Sequence, residues 1–144
     1  MPTLSRDNNA FGFAPKSQRG DLVTGFNTDV AASTTEATLF TFDTANFGGV
    51  SGSITIKNTG AASIRIRAYV SNDNGRSSGW ITLANVYGED DVSIALPLTI
   101  TAGSVDHLVL YYGQQPAYTT FRYWKFTVDT AASTSTCDYY ACGK

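Results

Sequence analysis

From Val50 to Val128 the dominant period of the sequence is two, apolar against polar. That period puts successive side chains on opposite faces of a pleated strand, so the chain hides its apolar residues by layering sheets rather than by packing helices. In the run from Val50 to Lys57 the even positions are apolar or small and the odd ones polar. Asn58-Thr59-Gly60 then ends the run, because Asn and Gly tolerate the positive φ of a tight turn. In the next run Ile64, Ile66, Ala68 and Val70 alternate with Ser63, Arg65, Arg67 and Tyr69, which directs both arginines to solvent or to a neighbouring strand. Ser71 to Gly75 closes it.

Further strands are expected from Trp80 to Leu83, Val92 to Ile100, Val105 to Tyr112 and Phe121 to Val128. Gly113 to Pro116 forms a loop between the last two. Pro97 has no N–H to give to a ladder, so it marks an edge strand, a bulge or a break. Ahead of this block Thr38 to Asp43 reads as one more strand, and Asp21 to Ala32 holds a short one. Seven or eight strands at spacings of ~8 to 12 residues are the pattern of a sandwich or jelly roll. The expectation is therefore an all-β fold, an antiparallel, jelly-roll-like β-sandwich over residues 22–130. Residues 1–21 hold only Leu4, Phe11 and Phe13 as large apolar anchors and read as an extended N-terminal arm. Residues 131–144 read as a short C-terminal tail.

The composition narrows the function classes. At 144 residues the chain can bury roughly 70% of its unfolded surface and needs no staple. A net charge of -2, with the basic residues scattered, provides no field for nucleic acid or anionic lipid. No run approaches the ~18 apolar residues of a membrane span, and the opening Met1 to Asp7 lacks the apolar core of a secretory signal. Cytoplasmic synthesis and no membrane partner are expected.

The residues that carry chemistry are few. His107 is the only imidazole, and a nucleophilic triad would need it. Asp106, its neighbour along the strand, points to the other face, and no Gly-x-Ser-x-Gly elbow exists, so a surface or interface histidine is the reading. Glu89-Asp90-Asp91, with Asp73 in the Asn-rich turn, could in principle hold calcium or act as a hydrolase pair. Adjacent carboxylates on one loop seldom converge, so solvated turns are expected, with no catalytic residue, no metal and no cofactor. Cys137 and Cys142 are too few for zinc and leave two outcomes, free thiols or a small disulfide loop. Alternation splits the late aromatics between two faces. Tyr69, Tyr111, Phe121 and Tyr123 are the candidates for a protein interface or a sugar-stacking platform.

The arm through Phe11-Gly12-Phe13-Ala14-Pro15, the strands rich in Ala, Ser, Thr and Gly, and the tail ending Cys142-Gly143-Lys144 resemble the head-decoration, or cement, proteins of tailed bacteriophages. The resemblance is architectural and covers the whole chain. It implies a jelly-roll body on a capsid surface, made in the host cytoplasm. Its partners would be the major capsid protein and further copies of itself in a homo-oligomer, with Leu4, Phe11 and Phe13 as the arm's anchors. A second, local resemblance joins Tyr69 to Gly75, followed by Trp80 to Leu83, to the hairpin of discoidin-type sandwich modules, which implies glycan binding. The spacer Arg76 to Gly79 is longer than theirs.

Overall fold

A computed structural model describes residues 23–46, 52–77, 79–90, 92–110 and 121–143. Among these, eleven strands follow in chain order, interrupted only by a single 3-10 turn at Thr44–Asn46. They are β1 (Val23–Ala32), β2 (Ala37–Asp43), β3 (Gly52–Asn58), β4 (Ile64–Ser71), β5 (Ile81–Thr82) and β6 (Asn85–Gly88). Then come β7 (Ser93–Ala95), β8 (Leu98–Ile100), β9 (Val105–Leu110), β10 (Tyr123–Asp129) and β11 (Ser135–Gly143). One sheet has the order β1-β11-β3-β9-β6-β7, and the other β2-β10-β4-β5, with β8 also on β4.

The antiparallel pairs β1·β11, β2·β10, β3·β9 and β4·β8 join the first half of the chain to the second in nested order. Nested pairing of this kind is one long ribbon folded over on itself. Its successive pairs fall alternately in the two sheets, which is the jelly-roll arrangement. β5, β6 and β7 are an insertion at the closed end of the ribbon. β5 lies on the free edge of β4, and the β6–β7 hairpin extends the first sheet from β9.

The interior follows the alternation. Ile54 and Ile56, Ile64 to Val70, Leu108 and Leu110, and Trp124 to Val128 bury their even positions between the sheets. Removing such side chains from water at roughly 25 cal/mol per Å² is what holds the layers together. β2 breaks the parity: Phe126 faces Phe40 while Thr127 faces Thr38, so Leu39 is an extra residue. That bulge lets Leu39 and Phe42 both reach the core with Phe40 packed against it.

Three expectations need correction. Residues 131–144 are not a tail, since β11 is the second strand of the first sheet and buries Cys137, Tyr139 and Ala141. The run from Val92 to Ile100 is not one strand. The chain changes sheets at the cis peptide Leu96-Pro97, leaving β7 in one layer and β8 in the other. β6 is not among the expected strands at all, because Asn85, Tyr87 and Gly88 offer little apolar contrast.

Asn58 also works differently from a turn former. Neither it nor Gly60 has a positive φ. Its fully buried amide donates to the carbonyls of Ala62 and Ile100, each at 2.8 Å, and its oxygen accepts from the Gly60 N–H at 3.0 Å and the Ser135 hydroxyl at 3.1 Å. Both donors and both lone pairs are used. Gly60 is required by space, since a Cβ there would lie 2.1 Å from Ser135 Oγ. Asn58→Ala should strand several of these partners in a buried site and cost about 3 kcal/mol or more. In urea denaturation the midpoint should fall while the m-value is retained, and a midpoint shift worth less than about 1 kcal/mol would refute this role.

Candidate functional site

The two sheets present very different outer faces. On the outside of the second sheet the odd positions of β4 and β10 bring Arg65, Arg67 and Tyr69 beside Tyr123, Lys125, Thr127 and Asp129. Asp129, with only 8% of its side chain exposed, accepts two bonds from Arg65 at 2.9 Å and one from Arg67 at 2.8 Å. Burial alone would raise its pKa, but these bonds and charges outweigh burial and hold it below the usual carboxylate value. Glu36 behaves alike. Burial raises its pKa, and the hydroxyls of Thr127 and Tyr69 with the charge of Arg67 bring it below normal. Tyr69, which donates its proton to Glu36, is pushed up to about 12 by burial and by that bond.

The aromatic rings on this face are already covered. Lys125 Nζ stands 4.4 Å from the ring centre of Trp80 and 5.1 Å from that of Tyr69. Trp80 lies against the turn where Asn74 and Gly75 have φ of 60° and 74°. A Cβ on Gly75 would sit 2.2 Å from the indole nitrogen, so the turn needs glycine for space and for backbone. Arg122 pairs with Asp43 through two bonds of 2.8 and 2.9 Å and rests 4.9 Å above Tyr123. A sugar ring would have to displace these cations.

The outside of the first sheet is different. The register aligns Phe26, Tyr140, Thr55 and His107 in one row across β1, β11, β3 and β9. The adjacent row is Thr24, Cys142, Ser53, Val109, Tyr87 and Ser93. Neither row holds a Lys, Arg, Asp or Glu. Phe26 is 72% exposed and Tyr140 50%, and their rings lie nearly parallel, 12° apart with centres separated by 6.2 Å. Val105, 46% exposed, lies on the same face, and Val92, 58% exposed, is in the β6–β7 turn beside it. Of the five large hydrophobic residues exposed in the described structure, only Ile81 lies elsewhere.

At the end of this face a groove of about 230 Å³ runs between the β6–β7 turn and β9, lined by Glu89, Asp90, Val92, Ile94, Val105, Asp106 and His107. It unites the acidic turn with the histidine, which the sequence left apart. The chemistry is not that of a triad. Thr55 Oγ1 and His107 Nδ1 are 2.8 Å apart, while Asp106 is in register with the core residue Ile56. Burial raises the pKa of Asp106. Asp90 accepts from the Val92 N–H at 3.2 Å. Asp73 caps its own turn, accepting from the Ser77 N–H and hydroxyl at 2.8 and 2.7 Å. Among the described residues no group of three or more His, Cys, Asp and Glu is placed to hold a metal.

The remaining candidates fall as follows. Tyr69 and Tyr123 share one face, under cations. Phe121 is half-buried against the core, which removes it from any exposed platform. Leu4, Phe11, Phe13, Tyr111 and Asp91 lie outside the described residues. The disulfide alternative is overturned, because β11 sends Cys137 into the core and Cys142 to the outer face, and both thiols are free. Burial pushes the Cys137 thiol up to about 11, so it stays protonated and unreactive. Phe26 and Tyr140 are not among the expected site residues. The signal that finds Tyr140 is the alternation of Cys137, Tyr139 and Ala141 with Thr136, Asp138 and Tyr140.

No family model matches the chain, and no curated protein matches it. Among solved structures, it is similar to the crystal structure of the SPBc2 prophage-derived protein YomS. The two are 13% identical with a TM-score of 0.46, over 85% of this chain and 96% of that one. A likeness of that depth fixes neither family nor function.

The lowered carboxyls make a pH prediction. Glu36, Asp43 and Asp129 hold protons less readily when folded than their ordinary values near 4.5 and 3.8 imply, so the stability they contribute is full above those values. It is lost as pH falls through them toward the lower folded values. Asp106, raised by burial, acts in the opposite sense, but it is one group against three. Thermal melts should show Tm declining below about pH 4.5, and Asp129→Asn should flatten that decline. A wild-type melt unchanged down to pH 3 would contradict it.

Proposed function

We propose that this protein is a non-enzymatic structural subunit of a bacteriophage particle, a decoration or cement protein that stabilises a capsid through contacts with the shell protein and with copies of itself. The observation that carries the reading is the asymmetry of the two outer faces. One is cross-linked by its own ion pairs and cation–ring contacts, and the other has no Lys, Arg, Asp or Glu over two rows and carries Phe26 and Tyr140 in the open. Exposed aromatic residues with charges kept to the margin are the composition of a protein interface core. The particle setting rests on the resemblance of the N-terminal arm and of the strands to decoration proteins, which the jelly-roll order suits by fold analogy. Repetition over many copies would let a modest contact energy per subunit hold a shell, with Leu4, Phe11 and Phe13 of the arm adding anchors on neighbouring subunits.

One observation favours a second reading. Two near-parallel exposed rings flanked by Thr24 and Thr55 are also what a glycan-binding module needs. The readings part cleanly in experiment. An antibody to the recombinant protein should find it in gradient-purified phage particles at many copies each, and deletion of residues 2–20 should leave a soluble domain that no longer joins them. Absence from particles, together with saturable binding on a glycan array that Phe26→Ala abolishes, would replace the structural reading by the glycan one.

A further inference from the structure

We infer that the outer face of the first sheet is the contact between two copies of this chain, packed face to face about a two-fold axis. The inference rests on the structural-subunit reading and gives that face its occupant. The occupant follows from charge, area and relief.

Charge comes first. The row beyond Phe26 and Tyr140 pairs Asp138 with Lys57 in register, next to Val105, and Asp29 in the β1 bulge and Glu89 and Asp90 in the β6–β7 turn lie further out, so the charges stand at the margin of a centre without Asp, Glu, Lys or Arg. A strongly acidic or basic partner finds no complement at that centre. A second copy suits it, because a centre without Asp, Glu, Lys or Arg meets another like it, and the charges at the rims can stay in water. The acid and base at the margin are the kind of pair that a two-fold contact can satisfy twice.

The area is sufficient. Six strands spaced by roughly 4.8 Å, from three to ten residues long and averaging about six at roughly 3.3 Å per residue, cover about 500 Å². Two such faces bury about 1,000 Å² together, the lower bound for a specific interface. The relief also suits sheet-on-sheet packing, in which side chains interdigitate across roughly 10 Å. The rings of Phe26 and Tyr140 rise at one side, and next to them the small side chains of Ser53, Thr55 and Cys142 leave a shallow floor. In an isologous contact the rings of each copy lie over the floor of the other.

Sedimentation velocity of the full chain between about 1 and 100 μM tests this. The expected result is a concentration-dependent dimer. Phe26→Glu and Tyr140→Lys should each weaken it by more than about a hundredfold, because each buries an unpaired charge. Ile81→Glu on the opposite sheet should leave it intact, and so should deletion of residues 2–20. The circular dichroism of each variant should match the wild type, and where a charged variant misfolds, Phe26→Ser and Tyr140→Thr repeat the test with milder weakening. A wild-type monomer at 100 μM overturns the inference, as does a dimer indifferent to Phe26. Loss of the dimer on deleting residues 2–20, or its appearance only after that deletion, also overturns it, since the arm would then be the face's occupant. A monomer that still joins phage particles defeats this inference alone, whereas a dimer absent from particles defeats the particle reading alone.

Discussion

The buried amide of Asn58 is the constraint on which one end of the sandwich depends, where β3 leads into β4 and β8 into β9. It sits at the end of β3 in the first sheet and reaches Ile100 at the end of β8 in the second, Ala62 in the turn that leads to β4, and Ser135 at the start of β11. The backbone reinforces it, with the Asn58 N–H donating to Ser104 and the Asn58 carbonyl accepting from Gly103. Three segments distant in sequence, residues 58–62, Ile100 and Ser135, thus meet on one side chain. Apolar burial presses the layers together without fixing how they are shifted, because it has no direction. A fully satisfied amide does have direction, and it fixes where the ribbon's strands end relative to one another.

Much of this fold was legible because the alternation in β3, β4, β9 and β10 is long and clean. In Ile64, Ile66, Ala68 and Val70 every inward position is apolar, and each is fully buried. β11 was harder to read, because Ala131 to Ser135 look like linker and the inward set of Cys137, Tyr139 and Ala141 is hardly more apolar than the outward Tyr140 and Cys142. Its place was decided by pairing with β1 and β3, over a hundred residues away in the case of Val23 and Gly143. Local pattern cannot report such a partner. The same limit hid the site. Phe26 and Tyr140 lie in segments of low apolar contrast, and only the register of β1 on β11 brings them together. Tyr69 and Tyr123 were visible as aromatic, but the lysine and arginine that cover them come from neighbouring residues whose side-chain direction alternation alone does not specify.

The charged face has its own logic. Arg65 and Arg67 must point outward once Ile64, Ile66 and Ala68 point in, and the neighbouring strand meets them with Asp129. A carboxylate so little exposed is tolerable because both of its oxygens are engaged by guanidinium groups. Lys125 between two rings has its charge partly balanced by their faces. Each of these groups directs its binding capacity within the molecule, which leaves the sheet stiff and weakly adhesive. The first sheet holds its outer face by hydrogen bonds instead, Thr55 with His107, Asn85 with Ser93, and Asp138 with the Asp29 N–H.

The sheet edges sharpen this contrast. Exposed edges are the usual route by which β-proteins add to one another. β7, β8 and β5 are only three, three and two residues long, too short to template a partner strand. β1 is long, but it carries a bulge between Asn27 and Val30 where Asp29 adopts a φ of 54°. The Asp29 N–H donates at 2.9 Å to Asp138 of the adjoining strand, which turns that donor away from any incoming chain. β2, the outer strand of the second sheet, is bulged at Leu39. With the edges shortened or kinked, backbone pairing is a poor way for this molecule to meet another. Association is left to side chains, and the first sheet is the one whose outer face carries exposed aromatic rings, Phe26 and Tyr140.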